Sequence, residues 1–285
     1  MNNPKIILIT GTSSGFGFVT AIHLLKQGHI VYATMRDMSK KDYLLAQVKN
    51  VPGKIHILGL DVTRPETINN VVQTIATDRG YLDAVVNNAG YGIGGFFEDL
   101  TDQEIRQQME VNFFGVQNVT RAVIPLMRSR RSGKIINISS IAGLNATPCF
   151  GAYNASKWAL EGFSESLYHE LKLFNINVCL IEPGTYRTKI FFENAKYAKN
   201  FDNPSSPYYS MSQHLKKMVL DYVHKTDKDP MRIALLVEKL LDQKNPALRN
   251  FPDIETRFLL GMRRILPFRI YSMFIRRALY QDRIL

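Results

Sequence analysis

Six short apolar runs punctuate the first 181 residues: Lys5 to Thr10, Ile30 to Thr34, Lys54 to Leu60, Leu82 to Val86, Lys134 to Ile138 and Ile176 to Ile181. Each is too short for a helix and rich in β-branched residues, the pattern of strands buried on both faces. Between them lie segments with helical periodicity: Val19 to Lys26, Lys40 to Lys49, Pro65 to Ala76, Thr101 to Met127, and a long stretch through Tyr153 ending at Leu173. Regular alternation of strand and helix predicts an α/β chain with a parallel, doubly wound sheet flanked by helices. After Thr188 the pattern breaks. Residues 189–228 are polar and aromatic and read as a mobile substrate lid with one or two short helices. A helix from Pro230 to Leu241 and a last strand from Ala247 to Phe251 return to the sheet. The tail, Thr256 to Ala278, is amphipathic, with Pro267 dividing it into two helices. Residues 1–285 are expected to form one domain, with a basic extension at 255–285.

Composition narrows this picture little. At 285 residues, 45% hydrophobic and 21% charged, the chain is globular. The net charge of +11 is concentrated late: seven arginines follow Glu255. That tail can pack an apolar side on the core, cover a pocket, meet a partner subunit or lie on a membrane surface. Charge alone, without a recognition motif, does not indicate nucleic-acid binding. Cys149 and Cys179 are too few for a disulfide framework and lack metal-site spacing, so no metal is expected. Cys179 reads as a core thiol, Cys149 as a pocket wall. With no signal peptide and no uncharged span of about 18 residues, a reducing cytoplasm is the expected location.

Chemistry begins after the first strand. Gly11-Thr12-Ser13-Ser14-Gly15-Phe16-Gly17 stands between strand and helix. Glycines there let the backbone approach a pyrophosphate, and the helix N-terminus offers free N–H groups to it. The spacing, G-x-x-x-G-x-G, departs from the general dinucleotide fingerprint. At the end of the second strand either Arg36 reads a ribose 2′-phosphate or Asp37 reads a 2′-hydroxyl, with Arg36 favoured. Asp61 can accept from an adenine amine, or Asp61 or Thr63 can cap the following helix. Asn87 and Asn88 can tie strand ends together, and Gly90 permits close ligand approach.

Tyr153 and Lys157 are four residues apart, on one helix face. An ammonium beside a phenol favours the phenolate, so the tyrosine is expected to have a lowered pKa and to act as a general acid/base. Ser139-Ser140 stands at a strand's carboxyl end, where such sheets place ligands. Asn112 lies among apolar residues, either as a satisfied buried amide or as a relay holding water near a lysine.

Together and in order, these motifs resemble the short-form branch of the short-chain dehydrogenase/reductase family, from Lys5 to Thr188. Thr10-Gly11-x-x-x-Gly15-x-Gly17 is similar to its cofactor motif, Asn87-Asn88-Ala89-Gly90 to its sheet-stabilising motif, and Pro183-Gly184-x-x-x-Thr188 to the segment flanking the nicotinamide. The resemblance implies a Rossmann-type fold and a catalytic tetrad of Asn112, Ser140, Tyr153 and Lys157. Ser140 rather than Ser139 is implied by its separation of thirteen residues from the tyrosine. Implied cofactor contacts are Gly11, Ser13, Ser14, Gly15, Phe16, Gly17, Arg36, Asp61, Val62, Asn88, Ala89, Gly90, Tyr153, Lys157, Pro183, Gly184 and Thr188. Met35 where NAD-preferring members carry an acid, followed by Arg36, implies NADP(H), with NAD(H) as the alternative. The run YATMRD and the arginine-rich extension look most like the hydroxysteroid and retinol dehydrogenase group. The expected reaction is interconversion of an alcohol and a ketone or aldehyde by hydride transfer. The lid aromatics Phe191, Phe192, Tyr197, Phe201, Tyr208 and Tyr209 suggest an apolar, steroid-, retinoid- or lipid-like substrate. The resemblance also implies a homodimer or homotetramer. Two readings stand beside it: a non-catalytic NADP(H)-binding sensor, and a peripheral protein that docks on membranes through its tail.

Overall fold

A computed structural model describes residues 3–188 and 195–280. Its main sheet contains seven parallel strands: β1 (Ile6–Thr10), β2 (Ile30–Met35), β3 (Lys54–Gly59), β4 (Ala84–Asn87), β6 (Gly133–Ile138), β7 (Ile176–Ile181) and β9 (Arg249–Asn250). Their spatial order is β3-β2-β1-β4-β6-β7-β9. The chain winds outward from β1 in one direction, then returns to β4 and winds in the other. This leaves a topological switch point between the carboxyl ends of β1 and β4, where open α/β sheets bind ligands.

Side chains alternate across each strand. Ile7 and Ile9 enter one core with α1 (Gly15–Lys26), α2 (Lys41–Gln47) and α8 (Met231–Asp242). Ile6 and Leu8 enter the other with α3 (Pro65–Arg79), α5 (Gly115–Arg128) and α6 (Gly151–Leu171). All four are essentially fully buried, each contributing roughly 1.5–3 kcal/mol. The doubly wound parallel sheet flanked by helices is thus as the hydrophobic pattern predicts.

The differences are local. The first helix starts at Gly15, so Phe16 and Gly17 occupy its opening turn rather than the loop. The long helix predicted from Thr101 is α4 (Asp102–Met109), a π-helical turn (Glu110–Phe114) and then α5. Its start carries the capping box expected of Thr101 and Glu104. Neither Asp61 nor Thr63 caps α3: its N-cap is Arg64 with Pro65 following, while Asp61 Oδ1 accepts from the backbone and side chain of Thr63 at 3.0 and 2.7 Å.

The described part of the segment after Thr188, residues 195–228, holds more regular structure than its composition suggests. β5 (Ile93–Gly94) and β8 (Lys196–Tyr197) form a second, two-stranded parallel sheet, and α7 (Tyr209–Lys225) runs for 17 residues. Met211, Leu215 and Met218 form a narrow apolar stripe on α7, packed over Cys149, Ala198 and Phe201. A stripe this narrow is hidden in a segment otherwise polar. Cys149 therefore lies in a small core beneath α7, and Cys179 is buried in the sheet as expected. Phe191 and Phe192 lie outside the described residues. The tail forms α9 (Ile254–Ile265) and α10 (Phe268–Tyr280), separated at Pro267 as predicted.

Candidate active site

The glycine turn is built against the end of β4. A Cβ on Gly17 would overlap Asn88 Nδ2 and lie 2.5 Å from the Gly11 carbonyl oxygen. Only a glycine lets helix and strand approach this closely. Asn88 Nδ2 donates to the carbonyls of Thr10 and Gly11, both at 2.9 Å. Thr10 Oγ1 accepts from the Asn88 and Ala89 N–H groups, both at 3.0 Å. One residue earlier, Asn87 bonds Thr120 at 3.1 Å and Asn137 at 2.8 Å, and Asn137 bonds Ser164 at 2.9 Å. The two asparagines thus tie strand ends and two helices together, as expected.

The turn fits a dinucleotide. Helix α1 has no acidic residue in its first turn, so nothing negative competes for its N-terminal N–H groups. Gly15, with φ of 63°, has open space where a side chain would stand. A cleft lined by Ser13, Ser14, Gly15, Tyr43, Arg187 and Thr188 joins this turn to the segment after β7. Tyr43 and Arg187 were not singled out from the sequence. Tyr43 enters by stacking on Phe18 at 5.0 Å, a contact with no signature in its local sequence.

At the far end of the strand edge, Arg36 is exposed immediately after β2. Its neighbour Asp37 is engaged: Oδ1 accepts from Ser39 N and Oγ at 3.1 and 2.7 Å and caps a short 3₁₀ turn. Burial tends to raise the Asp61 carboxyl, but bonds from Thr63 and the charges of Arg36 and Arg64 hold it below its usual range. The Val62 side chain is buried, and a Cβ on Gly115 would press within 2.6 Å of it. It therefore packs in the core, and only its backbone can meet a ligand.

Pro183 accepts at its carbonyl from Ile141 N at 2.9 Å, which fixes it beside Ser140. Gly184 N donates to Asp253 Oδ2 at 3.4 Å, and the Tyr186 hydroxyl donates to the same oxygen at 3.3 Å. Asp253 also caps α9 through Thr256 and pairs with the buried Lys228 at 3.4 Å. The Tyr186 ring meets Phe16 edge-on at 5.4 Å. Asp253 thereby clasps the segment before Thr188 to the tail, and Tyr186 carries the connection to the glycine turn. No local motif announces Asp253, which comes from the far end of the chain.

Between these two walls lie the four candidate catalytic side chains. Ser140 lies near enough to the Tyr153 phenol to lower its pKa. Ser139, by contrast, donates to Glu161 at 2.6 Å in the buried layer below. Of the two serines, therefore, Ser140 meets the phenol. Lys157 is buried, and its Nζ donates to the Ile138 carbonyl at 2.8 Å. Burial lowers its pKa to about 8, partly opposed by Glu161. Nζ is 5.9 Å from the Tyr153 ring centroid. Burial raises the Tyr153 phenol above its usual 10.0 and only Ser140 lowers it, so the lysine-driven depression expected from the spacing is absent.

Asn112 sits in the π-helical turn, a feature often found at functional sites. Its Nδ2 donates to Tyr91 O at 2.9 Å and Ser156 Oγ at 3.1 Å, and Oδ1 accepts from Tyr91 N at 3.1 Å. Both amide protons are thus used on the protein. The side chain holds the loop after Gly90, whose added Cβ would lie 3.1 Å from Asn112 Oδ1.

A dinucleotide cradle ending at a serine, a tyrosine and a lysine defines a nucleotide-dependent oxidoreductase site. The chain belongs to the short-chain dehydrogenase family: the family profile so described matches residues 5–198. It is similar to the 3-ketodihydrosphingosine reductase of Bacteroides thetaiotaomicron, 42% identical over 246 residues, covering 86% of this chain and 87% of that one. It is also similar to retinol dehydrogenase 8 of Bos taurus, 31% identical over 272 residues, covering 93% and 86%. A short-chain dehydrogenase structure from Streptomyces avermitilis superposes with a TM-score of 0.80 at 31% identity, covering 98% of this chain and 97% of that one. The protein is an oxidoreductase acting on CH–OH groups. Among the described residues no helix is long and apolar enough to cross a membrane, and no cluster of three or more His, Cys, Asp or Glu side chains could hold a metal ion.

Proposed function

We propose that the protein interconverts a lipid-like ketone and its alcohol, using NADP(H). The observation that carries this reading is the proximity of Ser140 to the Tyr153 phenol with Lys157 one helical turn on. The bound nicotinamide supplies the hydride. In reduction, the Tyr153 hydroxyl gives its proton to the substrate oxygen, and Ser140 hydrogen-bonds that oxygen as charge develops. Lys157 would offer its ammonium to the cofactor ribose, and Thr188 would hold the carboxamide. The preference for a 2′-phosphate is supported by Arg36, exposed at the strand end while Asp37 is engaged by Ser39. The apolar substrate is supported by Phe96, Phe150, Tyr197 and Phe201 beneath α7, and by the ketosphingoid named for the bacterial relative. Oxidation of NADPH and NADH across a panel of long-chain, steroid and retinoid carbonyls tests this. Turnover faster with NADPH on a long-chain ketone supports it; cofactor binding without turnover on any of them favours a sensor.

Self-association and membrane docking extend the proposal. Phe114 and Trp158 are exposed on the α4–α5 and α6 helices, where a second copy can cover them. Light scattering of the eluted protein should give a dimer or tetramer. On α9, Ile254, Phe258 and Ile265 lie on one face, 83%, 68% and 81% exposed. With Arg257 and Arg264 flanking them along α9, this face suits an anionic bilayer. Co-sedimentation with phosphatidylserine vesicles but not phosphatidylcholine vesicles, lost on Phe258→Ser with Ile265→Ser, is the expected result. Equal recovery with both vesicles removes the docking claim.

A further inference from the structure

Directly behind the serine, tyrosine and lysine lies a second group of charges that the reaction above does not use. Glu182 immediately precedes Pro183-Gly184 and its side chain is completely buried. Neither of its carboxyl oxygens has a hydrogen-bond partner among the described residues. Its counter-charge is Arg249, 3.5 Å from Oε1. That guanidinium is shared: Nε also reaches Glu161 at 3.2 Å, and its other arm holds the exposed Glu165 at 2.8 Å. Glu161, one turn beyond Lys157 on α6, has a side chain only 5% exposed and accepts from Ser139 at 2.6 Å.

Two buried carboxylates against a fraction of one guanidinium leave an uncompensated charge, which is costly. As carboxylates the two can only repel. A single proton between them removes the excess charge and supplies the donor that Glu182 lacks. We propose that Glu161 and Glu182 share one proton and act as a positioning pair, fixing the serine turn and setting the charge felt by Lys157.

The placement explains the effect on the site. Glu161 holds Ser139, next to Ser140, and Glu182 is joined to the segment that flanks the nicotinamide. The groups facing the pair are Lys157 and Glu165 on α6, Ser139 after β6, Arg249 on β9 and Arg264 on α9. Burial raises both glutamates, Glu182 to about 9 with the neighbouring Glu161 adding to the rise. The pair therefore carries one negative charge through neutral pH and two only under alkaline conditions. The catalytic consequence rests on the proposed oxidoreductase reading; the shared proton does not.

Two measurements separate them. Infrared and glutamate-labelled carbon NMR spectra of the wild-type protein at pH 7.5 report the proton without any assay. The expected result is a protonated carboxyl signal that disappears on titration toward pH 10 and is missing in Glu182→Gln. A spectrum showing only ionised carboxylates at pH 7.5 overturns the proposal, whether or not the variant folds. The second measurement is the pH profile of kcat. Glu161→Gln removes the anion that raises Lys157, so the alkaline limb should move about one pH unit toward acid. KM for the cofactor should stay within about twofold. A uniform fall in kcat with an unmoved limb assigns Glu161 a purely structural role and also overturns the proposal.

Discussion

Lys157 Nζ lies 2.8 Å from the carbonyl oxygen of Ile138 and donates to it. The bond joins α6 to the end of β6 just before Ser139-Ser140, so one side chain sets the spacing between helix and serine turn. It also holds an ammonium in a buried place. In the folded protein burial lowers the lysine from 10.5 to about 8. Folding therefore releases a proton between those values, and stability rises as pH increases through that window. Below pH 8 the buried cation costs on the order of 3 kcal/mol at the full shift. Lys157→Met should accordingly raise the melting temperature of the protein, measured without dinucleotide, at pH 7. The gain should shrink as pH approaches 10.5, while turnover is lost. Calorimetry across that range checks it.

Tyr153→Phe removes the proposed proton donor and leaves the ring against Gly92, where an added Cβ would stand 3.5 Å from it. Turnover should fall by about 10²–10⁴-fold. Fluorescence titration should show NADPH affinity changed by no more than about threefold, because the phosphate cradle is elsewhere.

Arg36→Ala should raise KM for NADPH by roughly tenfold or more and leave KM for NADH nearly constant. A charge-assisted bond to a phosphate contributes about 1.5–3 kcal/mol. Equal effects on both cofactors would assign Arg36 to the general surface.

Asp253→Ala breaks the clasp between the tail and the cofactor segment. It deprives buried Lys228 of a partner and α9 of its cap. Stability should fall by about 3 kcal/mol in urea unfolding. KM for the dinucleotide should rise more than kcat falls, since Gly184 and Tyr186 lose their anchor.

Gly17→Ala places a methyl against Asn88 and the Gly11 carbonyl, both parts of the rigid strand junction. The collision cannot be relieved by rotating a flexible side chain. Loss of detectable dinucleotide binding, with the protein still folded by circular dichroism, is the expected outcome.

The sheet was legible because buried parallel strands are written as uninterrupted apolar runs, such as KIILIT and INVCLI. Local motifs also survived folding: the Thr101–Glu104 box, the Asn87 and Asn88 ties and the adjacency of Ser140 to Tyr153. What escaped depends on distant contacts. Asp253 meets Gly184 across 69 residues, and Arg249 meets Glu161 across 88. The depressed tyrosine pKa inferred from spacing failed because the phenol is buried and the Lys157 ammonium is turned to the Ile138 carbonyl. Helix α7 was hidden by its polar majority, its packing carried by a few apolar residues.

The π-helical turn at Glu110–Phe114 has a consequence for deletions. That turn carries one residue more than an α-helical turn would, so excision of a single position there would restore regular winding and leave the two halves of the helix in nearly their present orientation. The pin at Glu104 and the latch between Thr120 and Asn87 would both be kept. What a one-residue excision at this spot should cost is the hold of the Asn112 amide on Tyr91 and Ser156, so activity should fall while the sheet stays intact.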